Sequence, residues 1–324
     1  MKKYHVTALG ELLIDFTENG LSNQGNYLLE ANPGGAPCNV LAMLQKLGKK
    51  TAFIGKVGND FLGKHLKKVV EEVGIDTRNL ILDDDVHTTL AFVHTYADGD
   101  RDFSFYRNPG ADMNLRAGEI DEALIAQSEV FHFGSLSLTH PGVREATKKA
   151  LRIAKDNGCL ITYDPNLRPP LWSSMEEAKE QIAFGMQWCD VMKISDNEIQ
   201  WFTGKEDFDE GIRILQDTYH IPLILLSLGR DGSRAYYKGM KVEAKPFLQK
   251  NTIETTGAGD TFCACVINYV LEHGLQNLTE ENLQEMLTFA NAAASLITTR
   301  KGALRVMPEK ADVEAMLAAF PTNL

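Results

Sequence analysis

The residues best suited to chemistry form one short stretch, Glu254-Thr255-Thr256-Gly257-Ala258-Gly259-Asp260, directly before the apolar run 261–271. The run has the length and the all-round apolarity of a buried helix, so Gly257 to Asp260 are predicted to form its first turn. Three small residues leave the backbone amides of that turn bare. Because unpaired amides at a helix start attract anions, the stretch predicts an anion hole.

Asp260 at the same turn points to proton transfer, because a carboxylate repels phosphate and is not explained by anion binding alone. It is explained if Asp260 takes the proton of a hydroxyl whose oxygen attacks a phosphoryl group held by the amides. The helix dipole is expected to keep this carboxylate ionised, as a weak base. The alternative is that Asp260 only caps the helix. Gly257 and Gly259 favour the chemical interpretation, since glycine is a poor choice in a helix unless close backbone approach is needed.

Composition narrows the classes of function. With 324 residues, 44% of them hydrophobic, the chain can build one large α/β domain or two small ones. The net charge of −11 argues against a nucleic-acid surface, and no apolar run is long enough to span a membrane. The five cysteines include no CxxC pair, which is the pattern of reduced, packed thiols in a cytoplasmic protein. Glu11 and Asp15 interrupt the N-terminal apolar stretch, so we expect no signal peptide.

The elements that must position this stretch alternate regularly from about residue 128. Short continuous apolar runs at 130–133, 160–163, 191–194 and 223–228 are typical of strands buried on both faces. An earlier strand is predicted at Val6 to Leu9. Helices are predicted to begin near Pro141, Met175, Asp196 and Glu206. This order predicts an α/β fold with a doubly wound, mostly parallel sheet and helices on both faces, in a single domain of residues 1–324.

Two segments do not follow this alternation of strands and helices, and they predict a small separate β-sheet. Residues 12–31 contain tight-turn chemistry, and residues 88–107 alternate apolar and polar side chains around an Asp98-Gly99 turn, as in a β-hairpin. Such a sheet would have an apolar face too large to leave in water. We therefore expect it to form a lid inserted in the domain, covering a site, a second subunit or both, and we expect a homodimer through it.

Polar residues follow the predicted strands, where ligands bind in open α/β sheets. They include Gly10-Glu11 with Asp15, the segment 164–168, Lys193 with Glu198, and the segment 227–232. Together they predict a site for a polyhydroxy compound and a polyphosphate. A second phosphate-binding candidate, residues 58–65, nearly has P-loop spacing. It is rejected because His65 replaces the Ser or Thr that would hold magnesium, and because Phe61 and Leu62 are assigned to the apolar face of a helix.

Taken together, these residues resemble the ribokinase-like (PfkB) family of sugar kinases over nearly the whole chain, with the closest likeness to fructokinases. The stretches 33–40, 105–113, 164–172 and 255–260 carry the resemblance. It implies an ATP-dependent kinase that converts D-fructose and MgATP to fructose 6-phosphate and ADP. Two alternatives stay open. One is a kinase of another ketose or of a sugar acid such as 2-keto-3-deoxygluconate, because an arginine at Arg107 also suits a carboxylate. The other is a non-catalytic, kinase-like binding protein.

The resemblance also implies a role for each matching residue. Asp260 is the implied catalytic base, and the implied anion hole is formed by Gly257, Ala258 and Gly259. The residues implied to bind the sugar are Asp15, Gly34, Gly35, Asn39, Arg107, Asn166 and Arg168. The residues implied to bind the nucleotide are Lys193, Ser227, Gly229, Gly232 and Asn291, and Glu198 is implied to bind Mg²⁺ through water. Three positions depart from the family pattern. Glu254 stands where an Asp is usual, at the position of a monovalent cation ligand such as one for K⁺. Ser195 replaces an Asn, and Leu41 is bulkier than usual.

Overall fold

The computed structural model describes residues 2–95 and 101–320. Its strands are β1 (Tyr4–Leu9), β2 (Leu13–Leu21), β3 (Tyr27–Gly34), β4 (Thr51–Gly58), β5 (Asp76–Asp83), β6 (Leu90–Thr95), β7 (Arg101–Tyr106), β8 (Ser128–Gly134), β9 (Leu160–Asp164), β10 (Val191–Ser195), β11 (Leu223–Ser227), β12 (Ser233–Tyr237) and β13 (Met240–Ala244). Its α-helices are α1 (Ala36–Lys46), α2 (Phe61–Glu72), α3 (Glu122–Ala126), α4 (Pro141–Asp156), α5 (Met175–Met186), α6 (Asp196–Thr203), α7 (Phe208–Tyr219), α8 (Ala258–His273), α9 (Glu280–Ile297) and α10 (Lys310–Ala319).

The larger sheet has nine strands in the order β13-β12-β11-β10-β9-β8-β1-β4-β5. In this order, the strands from β11 through to β5 are parallel to their neighbours. Strands β12 and β13 pair antiparallel and complete the other end of the sheet. One hydrophobic cluster packs α1, α2, α8 and α9 against one face, and a second packs α4 to α7 against the other. The prediction of a doubly wound, mostly parallel sheet is confirmed.

The buried strands match their predicted positions, and the differences are at the ends. Strand β11 ends at Ser227 rather than at residue 228. Helix α7 begins two residues later than predicted, because the Asp207 carboxylate caps it by accepting the N–H of Glu210 at 2.8 Å. Strands β5, β12 and β13 have no counterpart in the sequence prediction. The chain reverses into β12 through Gly229 and Gly232, whose positive φ angles of 54° and 96° suit glycine.

The smaller sheet has four strands in the order β3-β2-β6-β7. Strand β2 pairs antiparallel with β3 and parallel with β6, and β6 pairs antiparallel with β7. Strands β2 and β3, from segment 12–31 and the three residues after it, and strands β6 and β7, from segment 88–107, therefore form a separate small sheet, as predicted. The Asp98-Gly99 turn lies outside the described residues. At the tip of this sheet Leu21, Tyr27, Leu28 and Leu29 are exposed.

Residues 58–65 form a helix start and not a phosphate loop. The Asp60 carboxylate caps α2 by accepting the N–H of Gly63 at 2.8 Å. The prediction that Phe61 belongs to the apolar face is wrong: its side chain is 83% exposed, since it is the first residue of the helix, whereas Leu62 packs against the core. In the part of the chain that the structure describes, no helix is long and apolar enough to cross a membrane. All five cysteines are buried and unpaired.

Phe133 tests the packing under the larger sheet. Its ring is fully buried on β8 and stacks on Tyr163 with 4.5 Å between the ring centroids. Phe133→Ala should lower the free energy of unfolding by about 3–5 kcal/mol, because the cavity cannot fully collapse. Urea denaturation followed by circular dichroism measures this loss. Phe61→Ala is the control and should change the value by less than about 0.5 kcal/mol; equal losses for the two variants would refute the packing described.

Candidate active site

A cavity of about 690 Å³ lies at the carboxyl ends of β1, β9 and β10, under one face of the small sheet. Its lining includes eleven of the predicted site residues: Asp15, Gly35, Asn39, Asn166, Arg168, Lys193, Glu198, Glu254, Gly257, Gly259 and Asp260. These residues come from β2, from the start of α1, from the segment after β9, from β10, from the first turn of α6, and from the start of α8 with the residues just before it. The fold therefore brings most of the predicted residues to one site.

The start of α8 has the form that the sequence predicted. Gly257 is its N-cap, with a φ of 77° that suits glycine and with no capping side chain. The amide of Ala258 already donates to the carbonyl of Thr255 at 3.2 Å, and Ala258 does not line the cavity. Gly257 and Gly259 do line it, so they are better placed than Ala258 to offer amides to an anion.

Asp260 is held in the cavity by Asn39. The Asn39 side-chain amide donates to Asp260 Oδ2 at 2.8 Å, and Asn39 Oδ1 is buried with no partner among the described residues. Burial raises the pKa of Asp260, while the Asn39 hydrogen bond and the charges of Lys193 and Arg168 oppose this shift. The expectation of a weak base kept ionised by the helix dipole thus needs correction. Desolvation makes Asp260 a stronger base than an exposed aspartate.

Asp15 faces the same cavity from β2, directly opposite Asn32 of β3. Burial raises the pKa of Asp15 to about 7; the carboxylates of Glu254 and Asp260 add to this shift and Arg168 opposes it. Gly34 lies beneath the carboxylate rather than in the lining, and a β-carbon there would stand 2.4 Å from Asp15 Oδ2. Only glycine leaves room for the Asp15 carboxylate at this point.

Glu11 holds the first residue of α1 in place and, like Asp15, lines the cavity. Its carboxylate is buried and accepts the N–H of Ala36 at 2.9 Å. Burial raises the pKa of Glu11 to about 7, against the effect of that hydrogen bond. Glu11 therefore positions the helix that carries Asn39 and also lines the cavity.

Lys193 lines the cavity beside the first turn of α8. Its ammonium contacts Asp164 Oδ2 at 3.0 Å, and both side chains are more than nine-tenths buried. A β-carbon on Gly259 would stand 3.2 Å from Lys193 Nζ, so glycine permits this approach. Burial raises the pKa of Asp164 to about 6, and the lysine charge opposes the shift. The resemblance implied that Lys193 lies at the nucleotide, whereas its ion pair with Asp164 was not predicted.

Glu198 and Glu254 contribute carboxylates that the backbone already orients. Glu198 accepts the N–H of Leu167 at 2.7 Å with one oxygen and that of Ser195 at 2.8 Å with the other, in the capping box of α6. Glu254 accepts the N–H of Gly302 at 2.6 Å. Across residues 2–95 and 101–320 there is no group of three His, Cys, Asp or Glu side chains arranged to hold a metal. Oxygen donors this sparse suit an Mg²⁺ ion that keeps several waters.

Arg107 does not take the place expected at the sugar. Its guanidinium is buried, forms an ion pair with Asp112 at 2.6 Å and donates to Thr139 Oγ1 at 2.9 Å and to the carbonyl of Leu136 at 3.0 Å. Arg107 is absent from the cavity lining, whereas Leu136 belongs to it. We expected Arg107 to reach into the site. In the structure, Asp112, five residues on, instead binds the guanidinium behind the cavity wall.

Four predicted nucleotide residues also lie outside the cavity lining. Ser227, Gly229 and Gly232 lie along the connection from β11 to β12. The Asn291 amide donates to the carbonyls of Ala244 and Lys245 and accepts from Ser233, so it ties α9 to β13.

The small sheet supplies site residues that the sequence analysis missed. Asn32 and Thr17 line the cavity with a 2.9 Å hydrogen bond between their side chains, and Val93 and Phe105 line it beside them. The missed signal is strand alternation: Thr17 is two residues from Asp15, so both point to the same face of β2. With Asn32 opposite Asp15 in the β-ladder, three polar side chains could have been assigned together.

Known proteins resemble this chain over nearly its whole length. The family model described as pfkB family carbohydrate kinase matches residues 3–310. Probable fructokinase-2 of Arabidopsis thaliana is 40% identical over 314 residues, covering 96% of this chain and 94% of that protein. Fructokinase-1 of Zea mays is 38% identical, covering 95% and 96%. Among solved structures, fructokinase with bound ATP from Xylella fastidiosa has a TM-score of 0.88 and 26% identity, covering 99% of this chain and 100% of that one. Fructokinase from Vibrio cholerae O395 in its fructose, ADP and calcium ion bound form has a TM-score of 0.85 and 28% identity, covering 97% and 99%.

The raised pKa of Asp15 gives a pH-dependent prediction. The folded protein keeps this proton up to about pH 7, against an ordinary pKa of 3.8. Ionising Asp15 therefore costs stability as the pH rises from about 4 to 7, and the full cost is present above 7. Asp15→Asn removes that cost. Its free energy of unfolding should exceed that of the wild type by about 1–3 kcal/mol at pH 8 and by much less at pH 5.

Urea denaturation at the two pH values measures this difference. Asp217→Asn on α7, where the side chain is exposed, is the matched control and should behave like the wild type at both. An Asp15→Asn variant with the same gain at pH 5 and pH 8 would contradict the burial of an ionisable Asp15.

Proposed function

The chain belongs to the pfkB family of carbohydrate kinases, and we propose that it transfers the γ-phosphoryl group of ATP to D-fructose, giving fructose 6-phosphate and ADP. The observation that carries this proposal is the Asn39–Asp260 contact at the bare first turn of α8. It supports the proposal because a desolvated carboxylate lies beside helix-start amides that can bind a phosphoryl group. The curated relatives named above, which carry fructokinase names at 38–40% identity, support fructose as the acceptor.

In the proposed reaction, Asp260 accepts the proton of a fructose hydroxyl while its oxygen forms a bond to the γ-phosphorus. The bond from that phosphorus to the bridging oxygen breaks, and ADP leaves with its electron pair. Lys193 and the amides of Gly257 and Gly259 stabilise the negative charge on the moving phosphoryl group. The raised pKa of Asp260 helps because a stronger base takes the proton more readily.

The sugar is assigned to the part of the cavity under the small sheet. Asp15 and the unpartnered Asn39 Oδ1 are acceptors for its hydroxyls, and Asn32 adds a polar side chain from β3. Asn166 and Arg168 also line the cavity, and Arg168 lies close enough to Asp15 and Asp260 for its charge to lower the pKa of both. The case for a sugar acid rested on Arg107, whose guanidinium is committed to Asp112 and Thr139, so fructose is preferred over 2-keto-3-deoxygluconate.

ATP is assigned to the edge beyond β10 and β11, along Lys193, Ser227, Gly229 and Gly232. Glu198 is the group proposed to hold Mg²⁺ through water; the ion, when bound, neutralises phosphate charge. Glu254 remains the proposed ligand of a monovalent cation such as K⁺, with one oxygen already accepting from Gly302. Five unpaired, buried thiols support a cytoplasmic location.

We further propose that residues 1–324 form one domain with the small sheet as its lid, and that two copies pair through that sheet. Its tip exposes large apolar side chains: Leu21, Tyr27, Leu28 and Leu29 are 60%, 69%, 47% and 43% exposed. Apolar side chains clustered at one point on a surface are a common feature of subunit contacts.

The test of function is an ADP-release assay with MgATP against fructose, ribose, glucose, tagatose and 2-keto-3-deoxygluconate. Fructose should have the highest kcat/KM of the five. A higher value for the sugar acid would replace fructose as the substrate, and no turnover of any sugar by folded protein that binds ATP would overturn the kinase assignment.

The same assay tests the base. Asp260→Asn should lower kcat by about 10²–10⁴-fold, because the amide cannot accept the proton, while fructose binding measured by calorimetry is largely kept. Asp217→Asn is the matched control and should retain full turnover. Wild-type kcat in Asp260→Asn would remove Asp260 from the mechanism.

The lid contact is tested by oligomeric state. Size-exclusion chromatography with light scattering should give twice the monomer mass, and Leu28→Asp should give a monomer because it places a charge in an apolar contact. Leu248→Asp, at a side chain that is 66% exposed outside the small sheet, should leave the dimer intact. A wild-type monomer at working concentration would sink the proposal.

A further inference from the structure

A second cavity, of about 320 Å³, lies among α8, α9 and α10 and shares no lining residue with the active site. Its walls are mainly apolar and are formed by Phe247, Met286, Phe289, Leu317 and Phe320. Small-molecule sites in proteins have volumes of about 300–1,000 Å³ and walls of this kind, with a few polar groups that fix the ligand.

One polar group in the lining is Asn268. Its side chain is only 9% exposed, and its Oδ1 is buried without a hydrogen-bond partner among the described residues. A buried amide left unpaired lowers stability, and a ligand that bonds to it recovers that loss. Asn268 lies on the inner part of α8, whose other end carries the catalytic turn.

The charged side chains at the rim of the cavity indicate which sign of charge a ligand should carry. Glu272 faces Lys49 at 2.7 Å, and Glu314 faces Lys310 at 3.7 Å. Glu285 instead accepts a hydrogen bond from the Tyr269 hydroxyl at 2.7 Å and forms no ion pair with a cation of the described residues. The rim thus holds one carboxylate whose charge is unmatched.

We propose that this cavity binds a small aromatic amine. The ring lies against Phe247 and Phe289, the ammonium group pairs with Glu285, and a polar group of the ring bonds to Asn268. Aromatic walls suit an aromatic ring and add a cation–π attraction for the amine. Phosphorylated compounds are excluded, because the unmatched rim charge is negative.

The experiment is isothermal titration calorimetry of the full chain with tryptamine, which joins an aromatic ring with an N–H to one ammonium group. Wild type should bind one tryptamine saturably, and indole-3-propionate, with the same ring and the opposite charge, should bind at least about tenfold more weakly. Saturating ADP and fructose should not displace tryptamine, which separates this cavity from the active site. The readout needs no turnover, so it is independent of the proposed function.

Two variants locate the binding. Glu285→Gln should weaken tryptamine binding about tenfold by removing the charge, and Asn268→Leu should weaken it while preserving side-chain volume. Glu180→Gln, the same exchange at an exposed residue of α5 on the other side of the sheet, should bind like wild type. Glu285 is exposed, so its variant carries the test even if Asn268→Leu does not fold. No saturable binding by wild type, equal affinity in Glu285→Gln and wild type, or displacement by ADP would each overturn the proposal.

Discussion

The active site depends on keeping several carboxylates together away from water. Asp15, Asp164 and Asp260 lie close enough for one charge to raise the pKa of another, and each is also desolvated. The fold compensates with a specific donor or cation for each: Asn39 for Asp260, Lys193 for Asp164, and Arg168 near Asp15. Those partners come from distant parts of the chain. The parallel sheet, the start of α1 and the small sheet are therefore all required for the site to exist.

The central strands could be read from the sequence because burial on both faces produces a continuous apolar run. Strands β8 to β11 have that pattern. Strands β5, β12 and β13 lie at the edges of the sheet or next to one, and they mix polar with apolar residues, so only their pairing partners identify them. Phe61 shows the same limit, since periodicity gives its face of the helix but not whether the first turn is covered.

The start of α8 was predictable because its chemistry is local: small residues, a carboxylate and a helix are adjacent in sequence. Side chains whose role depends on a tertiary partner were not. Arg107 is bound by Asp112 and Thr139, and Asn291 is used to join α9 to β13. Asp164 stood in a recognised segment, yet its pairing with Lys193 required the neighbouring strand. Residue type predicts which atoms can bind, whereas packing decides what they bind.

The Asn39–Asp260 hydrogen bond joins residues 221 positions apart. At roughly 5–20 residues per second of translation, about 10–40 s separate the synthesis of its two ends. Once residue 107 has been added, the ribosome-bound chain contains both segments of the small sheet and the start of α1, but not yet Asp260, the proposed base. A growing chain can therefore assemble the part of the cavity proposed to bind the sugar before it can transfer phosphate. Catalytic competence arrives only with the last quarter of the polypeptide.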